Sequence, residues 1–281
     1  MTRILVTMPG KYGDILWAMP TARAIAETFD CAVDFMVSGA YGGIAPLIHA
    51  QDYIEQAIVN EAWKVQETAP ITPWAAPLRG EDIGAYDHIF DLGYRGWPTE
   101  ATLAEEVYKN GMGVARRMLV PLDLNRPWIE ADPITHIDPF VFVGWSDQWI
   151  ELKMGVTLAV LNVIPDRYNL NVIHPVDSRH KEWKLFHDDG NGLYFYRADW
   201  LQAVRYMETA ECYLGCLSAQ WVLANAMGKK TVVMEPDPQR ARNPLFWLPR
   251  ERNHMVIGGD ALPTHDARHT GDLLREVLNG G

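Results

Sequence analysis

The sequence predicts an α/β protein with two halves, each built on a parallel sheet covered by helices. Short apolar runs rich in β-branched residues, of which residues 3–8 are the first, alternate with stretches whose apolar residues recur at helical spacing. Such alternation is typical of parallel sheets with helices on both faces. It stops in the proline-rich segment 121–139 and then starts again. We therefore predict two similar domains joined by a linker.

The first half is predicted to open with a strand over residues 3–8, a loop over 9–14 and a helix that carries Pro20. Because proline lacks a backbone N–H, Pro20 should kink this helix or shift its start. Further strands are expected over residues 32–37, 54–59 and 86–92, and further helices over 44–49 and 102–109. These elements form a predicted N-terminal domain over residues 1–130.

The second half repeats this arrangement and adds a helix at its end. Strands are expected over residues 140–143, 170–173, 193–196, 212–215, 230–234 and 255–257, and helices over 149–163, 199–208, 218–227 and 271–278. They form a predicted second domain over residues 139–262, followed by a C-terminal helix within 263–281. Since ligands of such sheets bind outside the carboxyl ends of the strands, we expect the site in a cleft between the two domains.

Composition and charge narrow the classes of function. Of the 281 residues, 48% are hydrophobic and 22% are charged, which is ordinary for a globular protein. The net charge of −11 argues against binding to nucleic acids or acidic membranes through bulk charge. No run approaches the ~18 apolar residues that span a bilayer, and no signal-peptide pattern precedes the first strand. We expect a cytoplasmic protein without a membrane span.

Cysteine and histidine usage predicts neither a disulfide framework nor a metal site. The chain has three cysteines, an odd and sparse set: Cys31, Cys212 and Cys216. Cys212 and Cys216 lie in an apolar, strand-like stretch and are predicted to be small buried hydrophobic side chains. The adjacent His187, Asp188 and Asp189 do not naturally converge on one ion, and no histidine has zinc-type spacing to a cysteine.

The loop over residues 9–14 (PGKYGD) is the first candidate site, because it directly follows the first predicted strand. Gly13 allows a ligand to approach the backbone closely. Asp14 stands where the dipole of the following helix favours an ionised carboxylate. That carboxylate can accept the proton of an attacking hydroxyl, or it can merely cap the helix. Four residues of this loop and of the turn after the strand 86–92 are assigned to the acceptor side: Lys11, Tyr12, Tyr94 and Arg95.

The second half offers three candidate anion-binding stretches. Ser218 stands between a predicted strand and helix, where backbone amides suit a phosphate, although an ordinary helix cap explains it equally. Glu235 ends a predicted strand and can bind ribose hydroxyls, while Arg240 and Arg242 can face a diphosphate or remain solvated. Ser146 can contact phosphate after the strand 140–143, and Lys153 can neutralise a leaving group or lie on a solvated helix face.

Three stretches in this order resemble glycosyltransferase family nine, the ADP-heptose:lipopolysaccharide heptosyltransferases. They are RILVTMPGKYGDILWAMPTARAIAETF, YDHIFDLGYRG and YLGCLSAQWVLANAMGKKTVVMEPDP. The resemblance implies the GT-B fold, with two Rossmann-like domains facing a cleft. It also implies an inverting transfer from a nucleotide-sugar donor, with no obligatory metal and no further cofactor. Asp14 matches the catalytic base of the family, Ser218 matches the threonine of its Asp-Thr-Gly turn, and Lys153 loosely matches a donor-phosphate lysine.

The chain departs from the family around that turn. Leu217, Ala219 and Val222 stand where the family has aspartate, glycine and histidine, which help to hold the diphosphate of an ADP-sugar. The expected acceptor is a surface glycan similar to lipopolysaccharide, and two alternatives stay open. One is a DNA glycosyltransferase for a hydroxymethylated base; the other is a non-catalytic protein that binds a nucleotide or glycan. The DNA alternative needs a groove lined by Arg116, Arg117, Arg240, Arg242, Arg250 and Arg252.

Overall fold

The computed structural model describes residues 2–61, 86–92, 123–135, 137–144, 169–175, 193–235, 253–257 and 264–279. The chain divides into two compact units, Met1–Trp128 and Ile129–Gly281. The point of division lies inside the predicted linker, residues 121–139. The helices predicted over residues 102–109 and 149–163 lie outside the described residues.

The first unit is a parallel sheet with its longest described helix buried against it. Its elements are β1 (Ile4–Met8), α1 (Tyr12–Phe29), β2 (Val33–Ser38), a 3-10 helix (Gly39–Ile44), α2 (Ala45–His49), β3 (Ile54–Asn60) and β4 (His88–Asp91). Within the described residues the strand order is β3-β2-β1-β4, and every pair is parallel. The strand order therefore reverses between β1 and β4.

Helix α1 is buried along most of its length, which explains its long apolar sequence. Every residue from Asp14 to Ala26 is buried, and all of β1 is buried beside it. A helix covered on nearly every side needs no polar face in its middle turns. Its polar atoms need hydrogen-bond partners instead, and Pro20 leaves one backbone carbonyl of the helix without its usual partner.

Pro20 lies inside α1 without ending it. A proline at this position has no N–H to give to the carbonyl of Leu16, four residues earlier. The indole Nε1 of Trp128 donates to that carbonyl oxygen at 3.0 Å. The Trp128 ring stacks on Trp17 with centroids 5.8 Å apart, and its own carbonyl accepts from the hydroxyl of Tyr53 at 2.5 Å. A residue of the predicted linker, Trp128, thus completes the hydrogen bonding of helix α1 in the first unit.

Arg23 anchors the same segment from the helix side. Its guanidinium is 7% exposed and donates to the carbonyl oxygens of Pro127 at 2.5 Å and Asp123 at 3.1 Å. Burial lowers the pKa of Arg23 from its ordinary value, and Glu27 lies 3.9 Å away as a partly compensating charge. A buried charge requires such partners, so Arg23 holds residues 123–127 against α1.

The second unit contains a larger parallel sheet. Its elements are β5 (Phe140–Gly144), β6 (Asn169–Pro175), β7 (Leu193–Ala198), α3 (Trp200–Thr209), β8 (Cys212–Gly215), α4 (Ala219–Ala226), β9 (Thr231–Glu235), β10 (Asn253–Ile257) and α5 (Thr264–Asn279). Within the described residues the strand order is β10-β9-β8-β5-β6-β7, again with every pair parallel. The chain runs from β5 outward through β6 and β7, then crosses to β8 on the other side of β5.

The predicted strands that fall within the described residues are confirmed, with ends shifted by at most two residues. Asp199 caps α3 as predicted, accepting from the backbone N–H of Gln202 at 2.7 Å. Gly228 follows α4 with φ of 74°, the left-handed conformation that closes a helix. Helix α5 starts at Thr264, whereas the prediction started it at residue 271. The first turns were missed because they carry no apolar periodicity in the sequence. It contacts β8, β9 and β10.

A buried polar network joins α4 to the neighbouring strands. The side-chain oxygen of Asn253 accepts from the indole of Trp221 at 2.9 Å and from the hydroxyl of Thr231 at 2.6 Å. Its amide group donates to the side-chain oxygen of Asn225 at 2.9 Å. Asn225 and Thr231 are fully buried, so these hydrogen bonds replace water for groups that would otherwise be unsatisfied.

Candidate functional site

Each sheet has a point where the strand order reverses, and loops at the carboxyl ends of the strands on either side of it form a crevice. In the first unit this switch point lies between β1 and β4, and in the second between β5 and β8. The two predicted site residues lie in the helices that come after β1 and β8: Asp14 in the first turn of α1 and Ser218 at the N-cap of α4.

Asp14 lies in the first turn of α1, which begins at Tyr12. Its Oδ2 accepts from the backbone N–H of Lys11 at 2.8 Å, and the residue is 5% exposed. The capping interpretation of Asp14 is therefore present in the structure. The same hydrogen bond fixes the direction of the carboxylate at the switch point, and the helix dipole favours its charge.

Tyr12 contacts a glycine-rich turn that the sequence analysis did not select. Its ring meets that of Tyr41 edge to face, with centroids 4.9 Å apart. A side-chain carbon on Gly43 would lie 3.4 Å from the Tyr12 hydroxyl, and one on Gly42 would lie 2.7 Å from Val59. Three of the five residues 39–43, shortly after a predicted strand, are glycine, and this pattern could have indicated the turn. Lys11 is exposed and Tyr12 is half-buried beside this turn.

The remaining acceptor-side residues are beyond what the structure describes. Strand β4 ends at Asp91, and the backbone N–H of Leu92 donates to Thr7 of β1 at 3.0 Å. Tyr94 and Arg95 lie outside the described residues, so their predicted role stays a prediction.

Tyr213 occupies the switch point of the second unit. Its ring lies over two glycines at the carboxyl ends of the adjacent strands, Gly144 of β5 and Gly215 of β8. A side-chain carbon on Gly144 would lie 2.5 Å from Cε2 and 2.6 Å from Cζ of the ring, and one on Gly215 would lie 2.6 Å from Cζ. Real side chains do not tolerate such distances, so both positions require glycine because of the tyrosine.

The hydroxyl of Tyr213 reaches the turn that leads into α4. It donates to the carbonyl oxygen of Cys216 at 3.0 Å and lies 3.2 Å from the hydroxyl oxygen of Ser218. Burial raises the pKa of Tyr213 well above its ordinary value. The hydroxyl therefore stays protonated. Sequence reasoning missed Tyr213, since its partners in β5 become neighbours only in the folded sheet.

Ser218 is the N-cap of α4, as one of its two interpretations predicted. Its Oγ accepts from the backbone N–H of Trp221 at 3.4 Å, and the side chain is half-buried. The start of α4 points its backbone N–H groups towards the carboxyl end of the sheet, an arrangement suited to an anion. The structure thus shows the cap, and anion binding at Ser218 stays a prediction.

The other predicted donor-binding residues are described in part or not at all. Glu235 ends β9, which pairs with β8, so its backbone lies at the same edge of the sheet as Gly215. Four further residues lie outside the described part of the chain: Ser146, Lys153, Arg240 and Arg242. The arginines that the DNA alternative requires also lie outside it, as do His187, Asp188 and Asp189.

Among the described residues, no group of three or more histidine, cysteine, aspartate or glutamate side chains is arranged to hold a metal ion. Cys212 and Cys216 are buried, as predicted, Cys31 is half-buried, and none of the three forms a disulfide. Burial raises the pKa of the Cys212 thiol to about 12. Within the described part of the chain, no helix combines the length and apolar character required to cross a membrane.

Each of the two units contains a parallel sheet with a switch point that is followed by a helix. Solved structures share this fold. The chain is similar to the E. coli ADP-heptose LPS heptosyltransferase II, at 15% identity and a TM-score of 0.65, over 99% of each chain. It is similar to E. coli heptosyltransferase WaaC with ADP-2-deoxy-2-fluoro heptose, at 10% identity and a TM-score of 0.60, again over 99% of each chain.

A third similar structure is the family 9 glycosyl transferase from Veillonella parvula DSM 2008. It shares 12% identity at a TM-score of 0.60, over 98% of this chain and 89% of that one. No protein-family model matches the sequence, and no curated protein sequence matches it. At these identities the likeness is one of fold, and it confirms the predicted α/β fold of GT-B type. The predicted cleft between the two domains stays a prediction.

Proposed function

We propose that this protein is a glycosyltransferase that moves a sugar from a nucleotide-sugar donor to an acceptor hydroxyl with inversion at the anomeric carbon. One observation carries the proposal: each switch point holds the chemical group that one half of this reaction needs. The first has a buried, oriented carboxylate, Asp14. The second has the start of α4 with the hydroxyl of Ser218. The fold shared with solved heptosyltransferases supports the same assignment.

The donor is assigned to the second unit. Its diphosphate would rest at the start of α4, where the backbone N–H groups and the Ser218 hydroxyl can donate to phosphate oxygens. Glu235 would bind the ribose hydroxyls, and Ser146, Lys153, Arg240 and Arg242 would contribute further donors and positive charge. The names of two similar structures contain ADP-2-deoxy-2-fluoro heptose and ADP, so those proteins hold an adenosine diphosphate group.

Asp14 is assigned as the general base. A carboxylate has about four acceptor positions, so the hydrogen bond from Lys11 is compatible with a second role. The acceptor oxygen would form a bond to the anomeric carbon as the bond from that carbon to the diphosphate breaks. The diphosphate leaves with the electron pair, and Asp14 receives the hydroxyl proton. A single displacement from the opposite face inverts the configuration, and general-base assistance is worth roughly 10²–10⁴ in rate.

The acceptor is assigned to the first unit, beside Lys11, Tyr12, Tyr94 and Arg95. We favour a surface glycan similar to lipopolysaccharide, because the name of one similar E. coli structure specifies LPS heptosyltransferase activity for that protein. The proposed reaction requires no metal or cofactor other than the donor. We also propose a cytoplasmic location, which three cysteines that form no disulfide support.

A second function, nucleotide binding without catalysis, has a specific observation in its favour. Asp14 and Ser218 both serve as helix caps, which is sufficient to explain their presence. This alternative predicts that a nucleotide sugar binds but is not consumed.

The experiment that tests the proposal combines binding with turnover. The full chain is screened by thermal shift against ADP-, UDP-, GDP- and CDP-linked sugars, since a ligand that binds the folded state raises the Tm. Any sugar that binds is then incubated with acceptor glycans, and release of the nucleotide is measured. We expect one nucleotide class to raise the Tm and to be released in the presence of acceptor. Absence of binding by all four classes would refute the proposal, and binding without release would favour the non-catalytic alternative.

A further inference from the structure

We propose that Tyr213 is a positioning residue for the diphosphate of the donor: its hydroxyl holds the turn between β8 and α4 in the conformation that receives the anion. The inference deepens the proposed function and rests on it, because it concerns the same donor-binding half-site. It adds a residue that neither the motif comparison nor the helix cap identifies.

The hydrogen bonds around Tyr213 determine which acceptor receives the hydroxyl proton of Tyr213 and which receives that of Ser218. A tyrosine hydroxyl has one proton, and here it goes to the carbonyl oxygen of Cys216, which can only accept. The contact at 3.2 Å between Tyr213 and Ser218 must therefore use the proton of Ser218. The Ser218 oxygen in turn accepts from the N–H of Trp221. One buried hydroxyl thus connects the turn, the cap and the first turn of α4.

The ring of Tyr213 is a fixed anchor for these contacts. The residue is 0% exposed, and its ring lies across Gly144 and Gly215, which belong to the strands on either side of the switch point. Phe142 of β5 is its neighbour in the sheet, with ring centroids 6.1 Å apart. Since two strands and the turn all contact the same side chain, the position of the turn is tied to the sheet.

The ligand would change one of these hydrogen bonds and leave the others. Ser218 is half-buried, so an anion can reach it, whereas Tyr213 is enclosed. A phosphate oxygen at the start of α4 can take the Ser218 proton, because a hydrogen bond to a charged acceptor is stronger than one between two neutral hydroxyls. Tyr213 still donates to Cys216, so the turn keeps its shape with and without ligand. Tyr213 therefore acts through the turn and through Ser218, without touching the phosphate.

The test measures the affinity of Tyr213→Phe for nucleoside diphosphates. ADP, UDP, GDP and CDP are each titrated calorimetrically into the full-length wild type, Tyr213→Phe, Ser218→Ala and the double variant. We expect the Kd of the diphosphate that binds wild type to rise about fivefold or more in Tyr213→Phe, since one hydrogen bond that orders the turn is lost. The double variant should lose less than the product of the two single losses, because the two hydroxyls contact each other.

A matched control separates positioning from general destabilisation. Tyr206→Phe removes the same hydroxyl from a half-buried tyrosine of α3, away from the turn, and its Kd should equal that of wild type. The Tm without ligand is recorded for every variant. In turnover assays Tyr213→Phe should raise the donor KM while kcat changes little, a split that a merely structural role would not produce.

Each outcome decides the proposal. A wild-type Kd in Tyr213→Phe, or an equal loss in Tyr206→Phe, would overturn the role of Tyr213 while the proposed function stands. If Tyr213→Phe does not fold, Ser218→Ala decides: a wild-type Kd there would show that the hydroxyl pair has no part in binding. If no nucleoside diphosphate binds the wild type, the donor assignment and this inference are both refuted.

Discussion

Trp128 donates its indole N–H to the carbonyl oxygen of Leu16 at 3.0 Å, across 112 residues of the chain. Leu16 is the residue whose helical partner would be Pro20, which has no N–H to offer. The pair shows how a proline is accommodated in the middle of a buried helix. The hydrogen bond that the helix lacks is supplied by the segment where the first unit ends.

This relationship predicts that Trp128→Phe and Pro20→Ala are coupled. Trp128→Phe should lower the free energy of unfolding by about 1–3 kcal/mol, since it leaves the buried carbonyl of Leu16 without a donor. With Pro20→Ala, residue 20 regains an N–H that can pair with Leu16. The cost of Trp128→Phe should then fall by about 1 kcal/mol. Urea unfolding of the two single variants and the double variant measures the coupling.

A tryptophan of the other unit provides the control for this cycle. Trp200→Phe alters a buried ring of α3 and should combine additively with Pro20→Ala. Equal costs of Trp128→Phe in the two backgrounds would show that Pro20 is unrelated to the indole hydrogen bond.

Gly144→Ala is predicted to destabilise the second unit because its methyl group would overlap the ring of Tyr213. Overpacking of this kind costs about 1–3 kcal/mol. In a Tyr213→Ala background the overlap disappears, and the same substitution should have little further effect. Thermal unfolding measures both values. Gly43→Ala is the matched control, because its methyl group would meet only the Tyr12 hydroxyl at an ordinary 3.4 Å; a similar loss there would argue against the overlap with Tyr213.

Asp14→Asn is predicted to abolish most turnover while the protein stays folded. The amide oxygen of asparagine can still accept the N–H of Lys11, so helix α1 keeps its cap. It cannot take a proton from the acceptor, and kcat should fall by roughly 10²–10⁴. Nucleotide release and the Tm are measured on the same samples. Asp199→Asn, which changes the corresponding cap of α3, should keep its kcat, and near-normal turnover in Asp14→Asn would remove this residue from the mechanism.

Asn253→Ala is predicted to destabilise the second unit by about 2–3 kcal/mol. The substitution removes the partner of Trp221, Thr231 and Asn225 at once, and buried polar groups left without partners are costly. Denaturant unfolding measures the loss. Asn279→Ala, at the exposed end of α5, is the control and should change stability little. If the two variants are equally stable, the network contributes nothing.

The raised pKa of Cys212 predicts a loss of stability in alkali. Its thiol has a pKa of about 12 in the folded protein, against an ordinary value of 9.0. Between these values the unfolded chain releases the proton and the folded chain retains it. The unfolded state is therefore favoured as pH rises, and the stabilising contribution present below pH 9 is lost by pH 12.

One such thiol contributes a slope of at most about 1.4 kcal/mol per pH unit. Denaturant unfolding from pH 8 to 11 should show a shallower decline in Cys212→Ala than in wild type. Parallel curves for the two proteins would show that this thiol is not responsible for the alkaline loss.

Much of the architecture follows from local sequence. Residues 4–8, 33–38 and 140–144 form strands because short β-branched runs suit buried parallel sheets. The caps at Asp14, Asp199 and Ser218 were also predicted, since aspartate and serine are common where an apolar helical pattern begins. Periodicity failed at the start of α5, where buried Thr270 and Gly271 precede the first large apolar residue of the helix, Leu273.

The residues of the candidate site also fall into two groups, those that local sequence predicts and those that only strand pairing brings together. Asp14 lies in the first turn of the helix after β1 and Ser218 caps the helix after β8, so the chain order alone placed them at the carboxyl ends of the sheets. Tyr213 lies beside Gly144 only because β8 pairs with β5, although the two residues are 69 positions apart in the chain. Tyr41 approaches Tyr12 for the same reason, through the pairing of β1 with β2.

The sequence by itself determined the alternation of strands and helices and the caps of α3 and α4, because each depends on contacts within a few residues. Tertiary structure alone decided that Trp128 completes the helix containing Pro20, and that Tyr213 requires glycine at two strand ends. Those relationships join residues distant in the chain, and their geometry exists only after the strands have taken their order in the sheets.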